Sequence, residues 1–135
     1  MVIRPHNTND LPALWVLHQN TNLSPFRQSE FEAWVHQNMT WVAVREGELA
    51  GFILIQDAPD HQGVLLLAVD PLYRRQGIAR RLMQTFLPLK KQIFIEVEAT
   101  NTPALSLYQS LGFDPIGQRR DYYGPSRHAV VLRLL

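Results

Sequence analysis

The part of this sequence best suited to chemistry is an apolar segment that runs through a basic, glycine-containing loop into a helical pattern. Residues 67–83 read LAVDPLYRRQGIARRLM. The first backbone N–H groups of a helix have no partner within the helix and carry partial positive charge, so they can bind an anion. Gly77 and the small Ala79 let the backbone approach that anion closely. Full positive charges around the same point come from Arg74, Arg75 and Arg80. The loop therefore predicts a pyrophosphate site.

The loop also carries a recognisable pattern, R-x-x-G-x-A, which is preceded by V-D-P and followed by an apolar helix. It resembles the acetyl-CoA-binding signature of the GCN5-related N-acetyltransferases, the GNAT superfamily. Ala79 stands where many members of that family have glycine. The resemblance implies that acetyl-CoA is the co-substrate and that it binds at this loop. The cofactor-binding residues that it implies are Leu67, Ala68, Val69, Arg74, Arg75, Gln76, Gly77, Ile78, Ala79, Arg80 and Asn101.

A second segment, residues 95–123, extends the resemblance. It reads IEVEATNTPALSLYQSLGFDPIGQRRDYY. This segment is similar to the C-terminal half of the RimI-type N-terminal acetyltransferases, which acetylate the α-amino group of ribosomal-protein N-termini. The resemblance implies an α+β fold built as an α/β/α sandwich. Its mixed, mostly antiparallel sheet is expected to contain two central parallel strands that splay apart around the cofactor.

Acetyl transfer to an amine needs a group that accepts a proton from the amine. An α-amino group titrates near about 7.7–8.0, so a carboxylate acting through water is a sufficient base. The resemblance assigns that role to Glu96. Strand alternation places Glu96 and Glu98 on one face, and the alternative is a pair of solvated glutamates on an exposed sheet. Glu98 departs from the RimI-type pattern, in which arginine is common at this position.

Tyr108 is the second catalytic candidate, because its phenol can protonate a departing thiolate whose thiol has a pKa near about 8.5. Its spacing from Asn101 matches the RimI-type enzymes, and simple packing within the helix is the alternative. Asn101 can cap that helix, bond the pantetheine arm, or do both. Leu67, Ala68 and Val69 are expected to act through their backbone, where a β-bulge would free N–H and C=O groups.

Hydrophobic periodicity predicts an alternating series of strands and helices. The predicted strands are residues 2–4, 41–44, 49–55, 64–69, 92–97, 115–121 and 128–134. A first helix is expected after a cap at residues 8–10, and a second begins at the S-x-x-E capping box of Ser29 and Glu32. Two further helices cover about residues 78–87, stopped by Pro88, and about residues 102–111. A turn-rich segment at residues 58–63 precedes the third long strand.

Composition excludes several classes of protein. The 135 residues, 46% hydrophobic and 19% charged, predict one globular domain over residues 1–135. No segment approaches the roughly 18 consecutive apolar residues of a membrane span. The net charge of +1 argues against nucleic-acid binding, and the absence of cysteine excludes a disulfide or a thiol nucleophile. The histidines lack the spacing of a metal site. We expect a cytoplasmic monomer or homodimer with no metal, nucleic acid or membrane partner.

The resemblance implies an acetyl-CoA-dependent N-acetyltransferase in which a neutral amine attacks the thioester directly. A protein or peptide α-amino group is the expected acceptor. Two alternatives stay open. One is a GNAT acetyltransferase of a small-molecule amine, anchored by acidic groups such as Glu98 or Asp121, and the other is a non-catalytic acetyl-CoA-binding module. Tyr122 and Tyr123 lie where RimI-type enzymes shape the peptide groove, but His128 replaces a frequent aspartate there.

Overall fold

Strands and helices follow one another in the order that the periodicity predicts. A computed structural model describes residues 1–21, 27–85 and 92–134. In these ranges the strands are β1 (Val2–Pro5), β2 (Met39–Arg45), β3 (Glu48–Asp57), β4 (His61–Val69), β5 (Gln92–Glu98), β6 (Asp114–Gly124) and β7 (Arg127–Leu134). The helices are α1 (Leu11–Thr21), α2 (Gln28–Gln37), α3 (Ile78–Gln84) and α4 (Thr102–Ser110).

The described strands form one seven-stranded sheet in the order β1-β2-β3-β4-β5-β7-β6. Every neighbouring pair is antiparallel except β4 and β5, which are parallel and connected through α3. The sheet is therefore mixed and mostly antiparallel, and its parallel pair lies at the centre, as predicted.

Side-chain alternation along β3 divides the interior into two hydrophobic cores, one on each face of the sheet. Phe52 and Leu54 belong to the core covered by α1 and α2. Ile53 and Ile55 belong to the other core, covered by α3 and α4. Helices thus pack on both faces, which confirms the expected α/β/α sandwich.

The cap in front of α1 differs from the predicted one at residues 8–10. A 3₁₀ turn, Thr8–Asp10, is capped by Asn7, whose Oδ1 accepts from the N–H of Asn9 at 3.0 Å. The N–H of Asn7 in turn donates to Asp10 Oδ2 at 2.8 Å. Asp10 also forms an ion pair with Arg4 at 2.8 Å, which ties β1 to the start of α1. Arg4 and Asn7 hold the Asp10 pKa below its usual value.

The predicted capping box of Ser29 and Glu32 is wrong. Helix α2 begins at Gln28, so Ser29 lies inside its first turn. The N–H of Arg27 donates to Glu30 Oε1 at 3.2 Å, which supplies the reciprocal bond of a capping box two residues earlier. Two glutamates at competing positions follow this helix start, and the chain uses the first of them.

Strand β4 begins at His61 rather than at Val64, so the predicted turn at residues 58–63 is shorter. The N–H of Ala58 donates to the carbonyl of His61 at 2.9 Å and closes it. The predicted continuation of α3 to Leu87 and its stop at Pro88 lie outside the described residues. No described helix has the length and apolar character needed to cross a membrane.

Gly51 lies where β3 passes beneath the first turn of α3. A Cβ at this position would stand 2.8 Å from the carbonyl oxygen of Ala68 and 3.2 Å from Ile78 Cγ2. The first distance is shorter than real Cβ contacts, so only glycine fits. Because Ile78 opens the helix that follows the basic loop, Gly51 sets how closely that loop approaches the sheet. The sequence pattern alone assigns Gly51 no such role.

We expect Gly51→Ala to lower the free energy of unfolding by about 1–3 kcal/mol, because the added methyl group meets a backbone carbonyl that cannot move freely. Chemical denaturation followed by circular dichroism measures this change. The matched control is Gly63→Ala in β4, where the nearest atom to the added Cβ lies 4.0 Å away. Equal stability of the two variants would contradict the close approach at Gly51.

Candidate active site

The central parallel strands pair along only part of their length. Pairs run from His61 opposite Gln92 to Val64 opposite Ile95. Beyond these residues the two described strands separate, while β4 stays paired with β3 and β5 with β7. A gap therefore opens between β4 and β5. The backbone edges of residues 65–69 and 96–98 face it. The predicted splay is confirmed.

The bulge that accompanies this separation lies earlier in β4 than predicted. Strand β3 pairs with Leu66 and then with Val64, so Leu65 is the extra residue. The predicted bulge at residues 67–69 is wrong, because these residues keep a regular register with β3. A bulge bends its strand and increases the twist. Here it begins immediately after the last pair with β5, so the bend directs β4 away from its neighbour.

The basic loop after β4 contains two left-handed residues, Arg75 with φ 64° and Gly77 with φ 79°. The N–H of Arg81 donates to the carbonyl of Gly77 at 3.0 Å, which is the first helical bond of α3. The N–H groups of residues 78–80 therefore lie in the unpaired first turn. A Cβ on Gly77 would meet no atom within 4 Å, so open space adjoins the backbone. This geometry fits a pyrophosphate group.

A cavity of about 480 Å³, which we call the loop cavity, lies between this loop and α4. It is lined by Val69, Tyr73, Arg74, Arg75, Gly77, Ile78, Ala79, Arg80, Pro103, Ala104 and Leu107. Arg80 is held across the cavity by a 2.8 Å bond from Nη2 to Ser110 Oγ. The side chain of Ile78 is buried in the core, so toward a ligand this residue offers its backbone. Gln76 is exposed on the loop and does not belong to the lining.

A second cavity, of about 280 Å³, occupies the gap between β4 and β5, and we call it the reaction cavity. Its lining includes Leu67, Glu96, Asn101 and Tyr108, all of which the sequence marks as site residues. Ala104 lines both this cavity and the loop cavity, so the two adjoin. Ala68 differs from these residues, because its side chain is buried in the core beneath α1 and α2.

Tyr108 is enclosed by its surroundings, with 5% of its surface exposed. Its ring lies edge-on to Phe113 with centroids 5.8 Å apart. Burial raises the pKa of the phenol, so the hydroxyl stays protonated at neutral pH. Asn101 Oδ1 accepts from the N–H of Ala104 at 3.3 Å, which confirms the predicted cap of α4. Both side chains therefore have defined positions.

Glu96 has a carboxylate that is accessible from the cavity, with 24% of the side chain exposed. Its Oε1 lies 2.9 Å from Arg119 Nε. The hydroxyl of Tyr123 donates to the backbone carbonyl of Glu96 at 3.2 Å. Burial, together with the charge of Glu96, raises the pKa of Tyr123 to about 12. The predicted alternation is confirmed, since Ile95 and Val97 are buried on the opposite face.

The β6–β7 hairpin supplies the partners of Glu96 that the sequence did not assign. Its pairing is interrupted at residues 120–123, which bulge out opposite His128. Because of this bulge, the side chain of Tyr123 crosses β7 and its hydroxyl reaches the backbone carbonyl of Glu96 in β5. The R-R-x-Y-Y motif shows that arginine and tyrosine are close together in the sequence at this point. The spacing of these residues along the chain does not show that Arg119 and Tyr123 contact Glu96.

A third cavity, of about 310 Å³, shares Glu96 and Tyr123 with the reaction cavity. We call it the aromatic cavity, because its lining includes the rings of Trp34, Phe94 and Tyr122. The carboxylate of Glu96 therefore lies where the two cavities meet. Among the described residues, no group of three or more His, Cys, Asp or Glu side chains is arranged to hold a metal ion.

The site combines a splayed parallel strand pair, a basic loop with unpaired helix N–H groups at one end of the gap, and a carboxylate and a neutral phenol inside the gap. These features are those of an acyl-CoA-dependent acyltransferase. The family comparison agrees with this class. Residues 11–113 match the family model described as Acetyltransferase (GNAT) family. The chain belongs to the GNAT family of acetyltransferases, whose enzymes use acetyl-CoA.

The individual proteins that this chain resembles are also N-acetyltransferases. The ribosomal protein bS18-alanine N-acetyltransferase of Escherichia coli (strain K12) is 33% identical over 122 residues, which cover 86% of this chain and 82% of that protein. N-alpha-acetyltransferase RimI of Mycobacterium tuberculosis is 37% identical over 83 residues, 57% of this chain and 52% of that protein. The crystal structure of the ribosomal-protein-S18-alanine N-acetyltransferase from Escherichia coli superposes with a TM-score of 0.90 at 29% identity, covering 98% of this chain and 92% of that one.

We expect Gly77→Glu to weaken acetyl-CoA binding by roughly 100-fold or more, because the new carboxylate would stand beside the pyrophosphate position and repel it. Isothermal titration calorimetry measures the Kd. Gly47→Glu is the matched control: Gly47 has φ 78° in the β2–β3 turn, and a Cβ there also meets no atom within 4 Å. The loop assignment is wrong if both variants bind acetyl-CoA as the wild type does.

Proposed function

We propose that this chain transfers the acetyl group of acetyl-CoA to the α-amino group of a protein or peptide N-terminus. The observation that carries the proposal is the position of Glu96, which lines both the reaction cavity and the aromatic cavity. The reaction cavity adjoins the loop cavity at Ala104. An acceptor entering through the aromatic cavity therefore meets the carboxylate just before it reaches the thioester. The names of the relatives, which specify alanine or α-amino acetylation, support this acceptor.

The loop and the splayed strands hold the co-substrate in this proposal. The backbone N–H groups of residues 77–80 and the loop arginines bind the pyrophosphate. The backbone edges of residues 65–69, including Leu67, Ala68 and Val69, pair with the pantetheine amides. Asn101 lies at the rim of the reaction cavity, where its Oδ1 caps α4. Its side-chain amide N–H groups donate to the pantetheine arm. Acetyl-CoA itself supplies the activated acetyl thioester.

Glu96 and Tyr108 divide the proton transfers. Glu96, acting through water, accepts a proton from the α-ammonium group, and the neutral nitrogen then bonds to the acetyl carbon as the carbon–sulfur bond breaks. Tyr108 donates its hydroxyl proton to the departing sulfur, and the second proton released by the nitrogen restores the hydroxyl. Burial of Tyr108 keeps this proton in place until it is needed. The acetyl group passes directly from sulfur to nitrogen.

The acidic groups that a small amine would use as anchors are engaged elsewhere. Glu98 accepts two bonds from Arg127, at 2.8 and 3.0 Å. Asp121 Oδ1 accepts from the N–H of Ser126 at 2.8 Å. The aromatic cavity offers rings that suit the backbone and side chains of a peptide. These contacts favour a peptide acceptor over a compact polyamine, and we propose that the enzyme acts in the cytoplasm.

We expect Tyr108→Phe to lower kcat by about 100-fold while leaving the Kd of acetyl-CoA nearly unchanged, because the ring still fills its site and only the proton donor is lost. Steady-state thiol release and calorimetry measure the two quantities. Tyr73→Phe is the control, since Tyr73 lines the loop cavity but its hydroxyl points to Glu48. An unchanged kcat in Tyr108→Phe would assign Tyr108 to packing alone.

We expect Glu96→Gln to reduce kcat/KM for an α-amino peptide most strongly below pH about 8, where the acceptor is mainly an ammonium ion and a base is needed. The deficit, about 100-fold at pH 7, should shrink as the pH rises and the amine becomes neutral by itself. A pH profile from 6 to 10 of both enzymes measures this. A deficit that is the same at every pH would show that Glu96 only positions the acceptor.

A further inference from the structure

The turn of the β6–β7 hairpin is tied back to β5 by a two-pronged ion pair. Arg127 Nη2 donates to Glu98 Oε1 at 2.8 Å, and Arg127 Nε donates to Glu98 Oε2 at 3.0 Å. Arg127 follows directly after the Pro125-Ser126 turn, opposite Gly124. Both charged side chains belong to the lining of the reaction cavity. The pair therefore forms part of the wall that an acceptor meets.

Exposed ion pairs often contribute little to stability, so the geometry of this pair matters more than its charge. Two parallel N–H···O bonds fix the plane of the guanidinium relative to the carboxylate, which a single contact would not do. Hydrogen bonding from Arg127 also lowers the pKa of Glu98, so the carboxylate stays charged across the neutral range. Arg127 Nη1 extends the contact to the backbone carbonyl of Tyr123 at 3.4 Å.

Tyr123 is consequently held at both ends. Its backbone carbonyl accepts from Arg127, and its hydroxyl donates to the carbonyl of Glu96. The ring lines both the reaction cavity and the aromatic cavity, so it forms a fixed wall at their junction. The reaction cavity of about 280 Å³ must hold the acetyl thioester as well as the acceptor's first residue. A wall fixed in this way limits the size of the acceptor's first side chain.

We propose that Glu98 and Arg127 form a latch that determines acceptor specificity, closing the β6–β7 hairpin over the reaction cavity and restricting the acceptor to a small N-terminal residue. The inference deepens the proposed function and rests on it, since it requires the α-amino group to enter beside Tyr123. Glu98 and Arg127 act through the hairpin and Tyr123, so they are positioning residues.

The test compares kcat/KM on peptides that begin with Ala, Ser, Leu or Phe and are otherwise identical. The enzymes are the wild type, Glu98→Gln, Arg127→Gln and the charge-swapped double variant Glu98→Arg/Arg127→Glu. We expect the wild type to favour Ala over Leu by roughly 100-fold, as a rigid pocket does. Each single variant should reduce this ratio at least tenfold while the KM for acetyl-CoA stays constant. The double variant re-forms the ion pair without the Arg127 bond to Tyr123, so it should restore part of the ratio. Arg120→Gln, on the same hairpin, is the control and should keep the wild-type ratio.

The outcomes separate the latch from the proposed function. If the wild type acetylates none of the peptides, the proposed function fails and the latch fails with it. If the wild type acetylates them but the Ala-to-Leu ratio is the same in all four enzymes, the proposed function stands and the latch is wrong. A double variant that behaves like the single variants would also overturn the latch, because pairing of opposite charges would then not be the cause. Restored selectivity in the double variant supports it, since lost folding would lower activity on every peptide alike.

Discussion

The early separation of β4 from β5 is the constraint on which the rest of the site depends. Two parallel strands would normally satisfy each other's backbone groups along their whole length. Here pairing ends at Val64 and Ile95, and the extra residue Leu65 bends β4 away. In the proposed function, the gap that results gives pantetheine a backbone to pair with and gives the acetyl group a place to lie. The gap also connects the basic loop to Glu96, because the cavity in the gap adjoins the loop cavity at Ala104.

The β6–β7 hairpin completes the site from the other side of the gap. The bulge at residues 120–123 lets the end of β6 reach across β7 toward β5, and each glutamate of β5 is paired with an arginine of the hairpin. Arg119 forms an ion pair with Glu96, and Arg127 forms one with Glu98. Both carboxylates are thus paired with an arginine. In our proposals Glu96 transfers a proton and Glu98 holds the hairpin. The proposed catalytic and specificity roles follow from this division.

Local sequence signals predicted the parts of the site that lie within one segment. The basic loop that precedes α3, the Asn101 cap and the alternation of Glu96 with Val97 each depend on residues close in the chain. The predicted helix start at Ser29 is wrong for an equally local reason. Two glutamates, Glu30 and Glu32, each fit a capping box, and the sequence pattern does not show which one is used. The predicted position of the bulge is wrong because the register of a strand depends on its partner strand.

The order of strands and helices, the basic loop before α3 and the alternation of Glu96 with its buried neighbours could be predicted from the sequence alone. These features follow from side-chain periodicity and from helix-terminus chemistry, both of which act over a few residues. Three features become visible only in the folded chain: Leu65 carries the bulge, Gly51 must lack a side chain, and the hairpin arginines meet the glutamates of β5. Each of these depends on distances between strands far apart in the chain, which no local pattern records.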